Sequence, residues 1–556
     1  MPTPSRDAVA VLFVHAVAAA CAVAAGWLVT TKGSAESPTK DEFAVLADYV
    51  ESPSRIGWLF AHHNEHRYPL GRAVWAGVLE ATDFNFRAGM YVNVGLHTAA
   101  AALLVWAARG RRGRASVADA VIPVLLLHWG HTHNLLYGYQ LVFAVCVYGL
   151  AGWVWAAGRV ARGGGTGWLL AACGYATAVV LSGGFGLVFT PLFVAWLAHT
   201  VWKRPRSAQL VAAAFAVAWV GYGAWVWLTA PPGVTALPDR SPGKFLLHTV
   251  QFLACGVGDP AVPYPHEWPA AIVWVAAAGL YATSLVALVR RPHGTVFESA
   301  LALAVVGVIL LGAASAYARG YGLAARLVTP SAAGLCVCWV AAGGRGRVSW
   351  PVTVFVLAAA GGVFWANMDS GVREAYYTRL VLDELTEDVK AGMSPEFVEG
   401  RYGGATPVLM YHGTARCVRA LRNAGIGVFA SAGPDVPFVA VPIDGVDLPR
   451  EFDCGAAEVQ AGNPPRLSLP DPTRPVVGVR VRVRTDTAGG WRKLLLVWRD
   501  GRTGTEHRAW VYPPWMTAET AVAFPIGGTP TAIRVEAGSD LKLTIEAAEW
   551  LTPVAR

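Results

Sequence analysis

The chain is 556 residues long, 54% hydrophobic and only 15% charged, with a formal net charge of +8. Soluble domains carry about 25% charged residues, so a water-soluble globular protein is excluded for most of this chain. The positive balance does not point to nucleic acid either. The basic residues lie in short clusters between apolar runs, as the positive-inside rule expects of a membrane protein, and no nucleic-acid-binding motif accompanies them.

The first apolar run covers residues 8–30, follows Arg6 and is rich in Ala and Val. Its small residues would suit a signal-peptide cleavage site. A run of about 22 apolar residues is nevertheless long enough to cross a bilayer, and it reads as an uncleaved first helix. On either reading the next loop is extracytoplasmic. Further runs lie near 88–108, 116–129, 139–158, 167–182, 185–202, 208–229, 269–289, 297–315, 327–342 and 350–368. Basic clusters follow alternate runs: Arg109 to Arg114, Arg159 with Arg162, Lys203 to Arg206, Arg290-Arg291, and Arg345 with Arg347. Placing all five in the cytoplasm gives about eleven spans, with the N-terminus inside and everything after residue 368 outside. The runs 116–129 and 167–182 are short and fit re-entrant or broken helices, which are tolerated where they line a protein cavity.

This reading divides the chain into three parts. Residues 1–368 form a multi-span α-helical membrane domain in the inner (plasma) membrane, with an outer loop at 31–87. Residues 369–430 form a helical connector with mixed charge. Residues 431–556 carry short alternating strands: Val476–Arg484, Lys493–Trp498, Ala521–Phe524, Ala532–Glu536 and Leu541–Glu546. Their spacing predicts an extracytoplasmic antiparallel β-sandwich of jelly-roll type. Trp491, Trp498, Trp510 and Trp515 stud it, either as core or as faces for stacking on sugar rings. Of the 8 cysteines, none forms a CxxC pair. Cys21, Cys146, Cys173, Cys336 and Cys338 sit in apolar runs as small hydrophobes. Cys417 and Cys454 fall in the tail, where an oxidising compartment would allow a disulfide.

Chemistry-bearing residues concentrate in the predicted outer segments. The first loop holds Ala61-His62-His63-Asn64-Glu65-His66-Arg67, the acidic pair Asp41-Glu42, and Asp48 and Glu51. Asp41 to Val50 has Phe43, Leu46, Ala47 and Val50 at helical spacing, a face able to lie on a membrane surface. A carboxylate held there can serve as a general base, or belong to a solvated acidic face. His62, Glu65 and His66 have the inverted zinc-protease spacing, although no motif marks a third ligand. The same cluster also reads as a hydrogen-bonded anchor for the loop, or as a binder of a phosphate-bearing ligand through Arg67 and the histidines. His131 and His133 with Gln140 lie in a second outer turn. Arg319 and Arg326 flank a Gly-rich stretch at the outer end of two spans, either snorkelling or pairing with a lipid phosphate. Residues 230–268 (Asp239, Arg240, Lys244, His248, Asp259, His266, Glu267) form a third outer loop able to cover a site.

The first helix, the long outer loop with Asp41-Glu42, the many spans and the outer C-terminal domain together resemble the GT-C glycosyltransferases. The stretches Ala61–Leu70, His133–Gln140 and Arg319–Arg326 also look like bacterial membrane proteins of that superfamily. The resemblance covers residues 1 to about 370 and is architectural. It implies transfer of a sugar from a polyprenyl-phosphate carrier to a glycan, lipid or protein acceptor on the outer face. Asp41 or Glu42 would be the base, with Glu65 as a rival. His62, His63, His66, Arg67, His133, Gln140, Arg319 and Arg326 would bind substrate. The acidic pair lies further from the first helix than is common in such enzymes, and the second turn offers histidines where a second acid is usual. No motif marks a cofactor, and a divalent cation is left open. Two other readings stand beside this one. The first is a non-catalytic scaffold or transporter component for envelope polysaccharide. The middles of the spans carry almost no charge, which argues against ion-coupled transport. The second is a membrane zinc hydrolase using His62, Glu65 and His66.

Overall fold

The structure is a computed structural model of the chain. It describes residues 5–63, 66–229, 241–262, 267–290, 295–319, 323–343, 348–402, 413–431, 438–454, 465–484, 494–511, 519–526, 530–537 and 541–553. Two compact units are present, Met1–Ala35 with Ser54–Tyr376, and Glu36–Pro53 with Tyr377–Arg556. The long first loop is thereby divided between them.

The first unit is helical. Helix α1 (Arg6–Lys32) begins at Ser5, whose Oγ accepts the Ala8 N–H, a standard N-cap arrangement. Helix α2 (Asp41–Glu51) belongs to the second unit. Helix α3 (Pro69–Ala81) opens on a proline, suited to a first turn that has no use for an amide donor. Helix α4 (Phe86–Arg112) is capped by Asn85 and stops at Gly113, where φ is +77°. The helices that follow are α5 (Val121–Leu127), α6 (Leu141–Ala161), α7 (Thr166–Val180), α8 (Thr190–Val201), α9 (Arg206–Leu228), α10 (Pro242–Ala254), α11 (Glu267–Val289), α12 (Val296–Arg319), α13 (Val328–Ala342) and α14 (Trp350–Lys390).

Among the described residues, nine helices are long and apolar enough to cross a membrane: α1, α4, α6, α8, α9, α11, α12, α13 and α14, some with an adjoining turn. The architecture is that of a multi-pass membrane protein. The apolar runs 116–129 and 167–182 form shorter helices, α5 and α7. The reason is local. Helix α5 ends at His128, whose extended backbone breaks the ladder, and α7 ends just before Gly183, whose φ of +136° no helix accommodates.

The spans differ in how much neighbouring protein covers them. Helix α6 has 89% of its apolar window buried, whereas α9 and α14 have 17%. Val217, Trp227, Leu228, Phe355 and Trp365 on these outer helices are exposed. Apolar surface on this scale is stable against lipid and would be a liability in water. The main apolar cluster is built around α4, α6, α12 and α13, and a second joins Leu28 and Val29 of α1 to Met90 of α4 and Leu127 of α5.

The basic end of α4 gathers its partners at one end of this unit. Arg112 pairs with Asp119, both side chains almost wholly buried. Trp339 Nε1 donates to the same Asp119 at 3.0 Å. Arg111 donates to the Val340 carbonyl at 2.7 Å, and Arg109 pairs with Asp7 at 2.9 Å. The Arg162 guanidinium packs over Gly110. The clusters 109–114 and 159–162 therefore share one end of the unit, as the alternation of basic loops predicts.

In the second unit, α2 packs on α16 (Thr414–Ala424), which follows α15 (Pro395–Tyr402). Phe43 meets Phe429 edge-on at 6.3 Å. Arg401 on α15 is buried and bonds Glu384 at 2.9 Å and also Asp388, to which the Tyr402 hydroxyl donates at 2.8 Å. The strands are β1 (Phe438–Pro442), β2 (Arg450–Cys454), β3 (Arg466–Leu469), β4 (Gly478–Arg484), β5 (Leu494–Asp500), β6 (Glu506–Val511), β7 (Glu519–Pro525), β8 (Pro530–Ala537) and β9 (Leu541–Pro553). They form two antiparallel sheets. One runs β1-β9-β4-β7 with β2 also on β9, and the other β3-β8-β5-β6. Alternate residues from both sheets, among them Val479, Val481, Val483, Leu494, Leu496, Val535 and Ile545, share one core. Trp498 is buried in that core and stacks on His507 at 5.3 Å. Trp491 and Trp515, and the side chain of Trp510, lie outside the described residues. Cys417 is a free, buried thiol whose pKa burial pushes up to about 11, and the side chain of Cys454, its expected partner, lies outside the described residues.

Candidate functional site

The end of the helical unit opposite Arg112 gathers the segment 58–72, the turn 131–140, Gly183-Gly184 and the end of α9. Its anchor is Arg72 on α3. The side chain is fully buried, and its guanidinium donates to the carbonyls of Trp58, of Ala61 at 2.9 Å and of His62 at 3.4 Å. It also lies over the Trp58 ring at 5.1 Å. One cation thus ties three carbonyls together, and those of Ala61 and His62 would lose this donor without it, which is costly where they are shielded from water.

The pinned segment then turns back on itself. His63 and His66 exchange both backbone hydrogen bonds, at 2.8 and 3.1 Å. That pairing is incompatible with a helix through His62 and His66, so the two imidazoles are not stacked one helical turn apart as the zinc-protease spacing requires. Among the described residues, no group of three or more His, Cys, Asp or Glu side chains is placed to hold a metal. Glu65 itself lies outside the described residues.

Arg67 is fixed by three contacts. Its guanidinium lies over the Trp225 ring at 4.2 Å, donates to Thr229 Oγ1 at 3.1 Å, and donates to the Phe60 carbonyl. A guanidinium carries five N–H donors, so this fixing leaves donors over. Burial first, and the Arg67 charge second, lower the His62 imidazole below its ordinary value, with the Thr229 backbone pulling the other way. His62 is therefore a neutral ring beside a fixed cation.

Aromatic rings form the rest of the wall. Tyr139 stands at the centre, 5.8 Å from His63, 6.2 Å from Tyr68, 5.4 Å from Trp75 and 6.2 Å from Tyr137, centroid to centroid. Tyr68 in turn meets His66 at 5.6 Å, and Tyr137 meets His133 at 6.2 Å. Two glycines allow the closest approach. A Cβ at Gly183 would lie 2.5 Å from the Tyr68 ring, and one at Gly184 would lie 2.6 Å from His66 Nδ1. Gln140 is buried, and its Oε1 has no hydrogen-bond partner among the described residues. The Arg326 carbonyl accepts from Asn134 Nδ2 at 3.2 Å, which brings the Arg326 backbone to the 131–137 turn.

The predicted site residues are thus distributed unevenly. His63, His66 and His133 share one cluster through Tyr68, Tyr137 and Tyr139, and His62 and Arg67 lie beside each other in the segment that leads into it. Gln140 is the next residue beyond Tyr139, and the Arg326 backbone borders the turn. The side chain of Arg319 lies outside the described residues, as do Asp239, Arg240, His266 and the side chain of Glu267. His248 Nδ1 is 3.0 Å from Gln251 Oε1 on α10.

Asp41 and Glu42 lie in the other unit. Glu42 is fully buried, and its Oε2 accepts from the Thr39 N–H at 2.9 Å and the Thr39 hydroxyl at 3.2 Å. It closes the first turn of α2 in the manner of a capping box, and this gives it a structural role. Asp41 is half-buried in the same turn. Asp48 pairs with Arg416 at 2.9 Å, and Glu51 also pairs with it.

Arg72, Tyr68, Tyr139, Trp225 and the glycines were not singled out from the sequence. Arg72 carried a signal, since a cation in an otherwise apolar helix is costly and rarely idle. The aromatic residues carried none, because nothing in the sequence says which of the chain's 17 tyrosines and 23 tryptophans converge. Compared with models of protein families and with curated proteins, the sequence matches none.

Proposed function

We propose that this protein is a membrane glycosyltransferase that moves a sugar from a polyprenyl-phosphate donor to an envelope glycan, lipid or protein acceptor. The supporting observation is the Arg67 guanidinium, held over Trp225 beside His62 with donors to spare, in the same short segment as His63 and His66, whose rings join those of Tyr68 and Tyr139. A fixed guanidinium suits bidentate contact with a phosphate, and tyrosine and histidine rings suit a sugar. The exposed apolar faces of the outer helices suit contact with a lipid carrier. On this reading the site faces the outer side of the plasma membrane, and the strand-rich region is extracytoplasmic.

Transfer needs a base at the acceptor hydroxyl. Glu65 is our candidate, because it lies in the chain between His63 and His66, which are bonded to each other, and two residues from Arg67. Asp41 is the second candidate. Glu42 is set aside, because it is fully buried and its Oε2 is engaged by the Thr39 N–H and hydroxyl. His133, Gln140, Arg319 and Arg326 are assigned to the substrate, with the unpartnered Gln140 Oε1 available to a sugar hydroxyl.

The test uses the purified full chain in lipid nanodiscs, a panel of labelled polyprenyl-phosphate sugars and a membrane acceptor fraction, with and without a chelator. Transfer from at least one donor is expected, and Glu65→Gln should reduce it by about 100-fold or more, the usual contribution of a positioned base. Full activity in Glu65→Gln with loss in Asp41→Asn would move the base to Asp41. Donor binding without transfer from any donor would replace the enzyme with a non-catalytic binding protein.

A further inference from the structure

A second polar network lies inside the helical unit and takes no part in the proposed transfer. It joins α4, α5, the one-turn helix Thr132–Leu135 and α13. His97 and Asn93 come from α4, His131 and Asn134 from the turn after α5, and Thr329 from α13. All five side chains are buried, at 4% relative exposure or less.

The geometry assigns their protons. His97 Nδ1 is 2.8 Å from the Asn93 carbonyl, and His131 Nε2 is 2.8 Å from the Leu125 carbonyl. A carbonyl only accepts, so each of these ring nitrogens carries a hydrogen. A neutral imidazole has one N–H, so the other nitrogen of each ring must accept. Both remaining nitrogens meet the same hydroxyl, His131 Nδ1 at 2.9 Å and His97 Nε2 at 3.2 Å from Thr329 Oγ1. That oxygen already accepts from Asn134 Nδ2 at 2.7 Å, and the same amide nitrogen also donates to the Arg326 carbonyl.

A hydroxyl has one hydrogen and two lone pairs. With both imidazoles neutral, two acceptors compete for one hydrogen, and one lone pair of Thr329 Oγ1 has no donor. A single added proton removes both defects. One ring becomes imidazolium and donates to Oγ1, Asn134 fills the other lone pair, and the hydroxyl donates to the second ring. The third buried histidine nearby has no such opening. His128 Nε2 faces the Gly256 carbonyl at 3.0 Å, and its Nδ1 accepts from the Gly130 N–H at 3.0 Å. A second proton on that ring would face a donor.

We propose that His97 and His131 form a binding site for one proton, shared through the Thr329 hydroxyl. Other titratable or charged groups on the elements packed around the pair include His128, whose ring is 4.5 Å from that of His131, His133 on the one-turn helix, Cys255 after α10, Cys146, Tyr148 and Arg159 on α6, Cys336 and Cys338 on α13, Arg326 just before α13, and Arg87, Tyr91, Arg109, Arg111 and Arg112 on α4 itself. Among the described residues no carboxylate bonds either ring, so burying the charge is opposed by desolvation and favoured by the completed hydrogen bonds. Occupancy reaches the aromatic wall through Asn93, whose Nδ2 donates to the carbonyls of Asn134 and Tyr137, each at 3.0 Å.

The test is a nitrogen-15 resonance titration of the histidine-labelled full chain in nanodiscs, from about pH 8 to about pH 4, which brackets the ordinary histidine value of about 6.5. The expected result is one step, equivalent to one proton, in which the acceptor-type resonances of His97 and His131 move together toward N–H type while those of His128 stay fixed. Thr329→Val should abolish the shared step and Thr329→Ser should keep it. Two independent steps, a step confined to His128, or no step before the fold is lost would each overturn the proposal. So would a shared step that persists in Thr329→Val. If Thr329→Val does not fold, the wild-type resonances alone decide.

Discussion

The two halves of the first long loop meet different fates. Residues 36–53 are rich in carboxylates, and most of those carboxylates are engaged. Glu42 caps α2, Asp48 and Glu51 share Arg416, and Glu36 pairs with Lys390 at 2.9 Å. Residues 54–72 hold a buried cation on three carbonyls and a second cation on an indole. A density of acidic residues is thus weak evidence for a site. What separates the halves is whether a charge is consumed by its own fold or held in place with bonding capacity left over.

Substitutions can break or sharpen this contrast. The largest effect on folding is expected at Arg72. Arg72→Met keeps much of the side-chain volume but removes the cation's hydrogen bonds to three carbonyls, of which only that of Trp58 keeps a backbone donor, and should cost about 3 kcal/mol or more. Thermal unfolding in nanodiscs measures it, and a change below about 1 kcal/mol would mean that the segment 58–62 does not depend on this pin. Arg67→Lys comes next. It retains the charge but loses the planar fork and its stacking, and should weaken donor binding by about 10-fold with little change in melting temperature. Equal affinity would deny Arg67 the phosphate.

Smaller effects are expected in the acidic half. Glu42→Ala should cost about 1 kcal/mol, the usual worth of a helix N-terminal cap, and leave the kinetics of transfer unchanged. Loss of transfer in a folded Glu42→Ala protein would reverse the contrast and return the base to α2. Arg416→Gln should cost less than about 1 kcal/mol because the pair is half-exposed and screened, and raising the salt concentration should shrink even that difference.

Much of the fold was legible because it rests on periodicity. The apolar runs became helices, and alternation placed all five expected strands, from Gly478–Arg484 to Leu541–Pro553. The spans stop where particular residues stop them, and His128 and Gly183 shorten α5 and α7 in a way that a count of apolar residues does not register. The site was legible only in part. The histidines and Arg67 stood out by their density in the sequence. Their geometry did not, because His62, Glu65 and His66 at helical spacing look the same whether the chain coils or turns back, and here His63 bonds His66. Asn93 and His97 carry no signal of their own inside an apolar run, because neutral polar groups leave its charge pattern unchanged. Tyr139 owes its central place to long-range packing alone.

The approach of His66 to Gly184 has a consequence of its own. The imidazole reaches its place because an atom is missing there: any residue larger than glycine would put a carbon within 2.6 Å of Nδ1. The ring's orientation is therefore set by a vacancy in the opposing strand of chain as much as by any bond. Filling that vacancy with a single methyl group would swing the imidazole out of the wall while leaving every titratable group in the protein chemically intact.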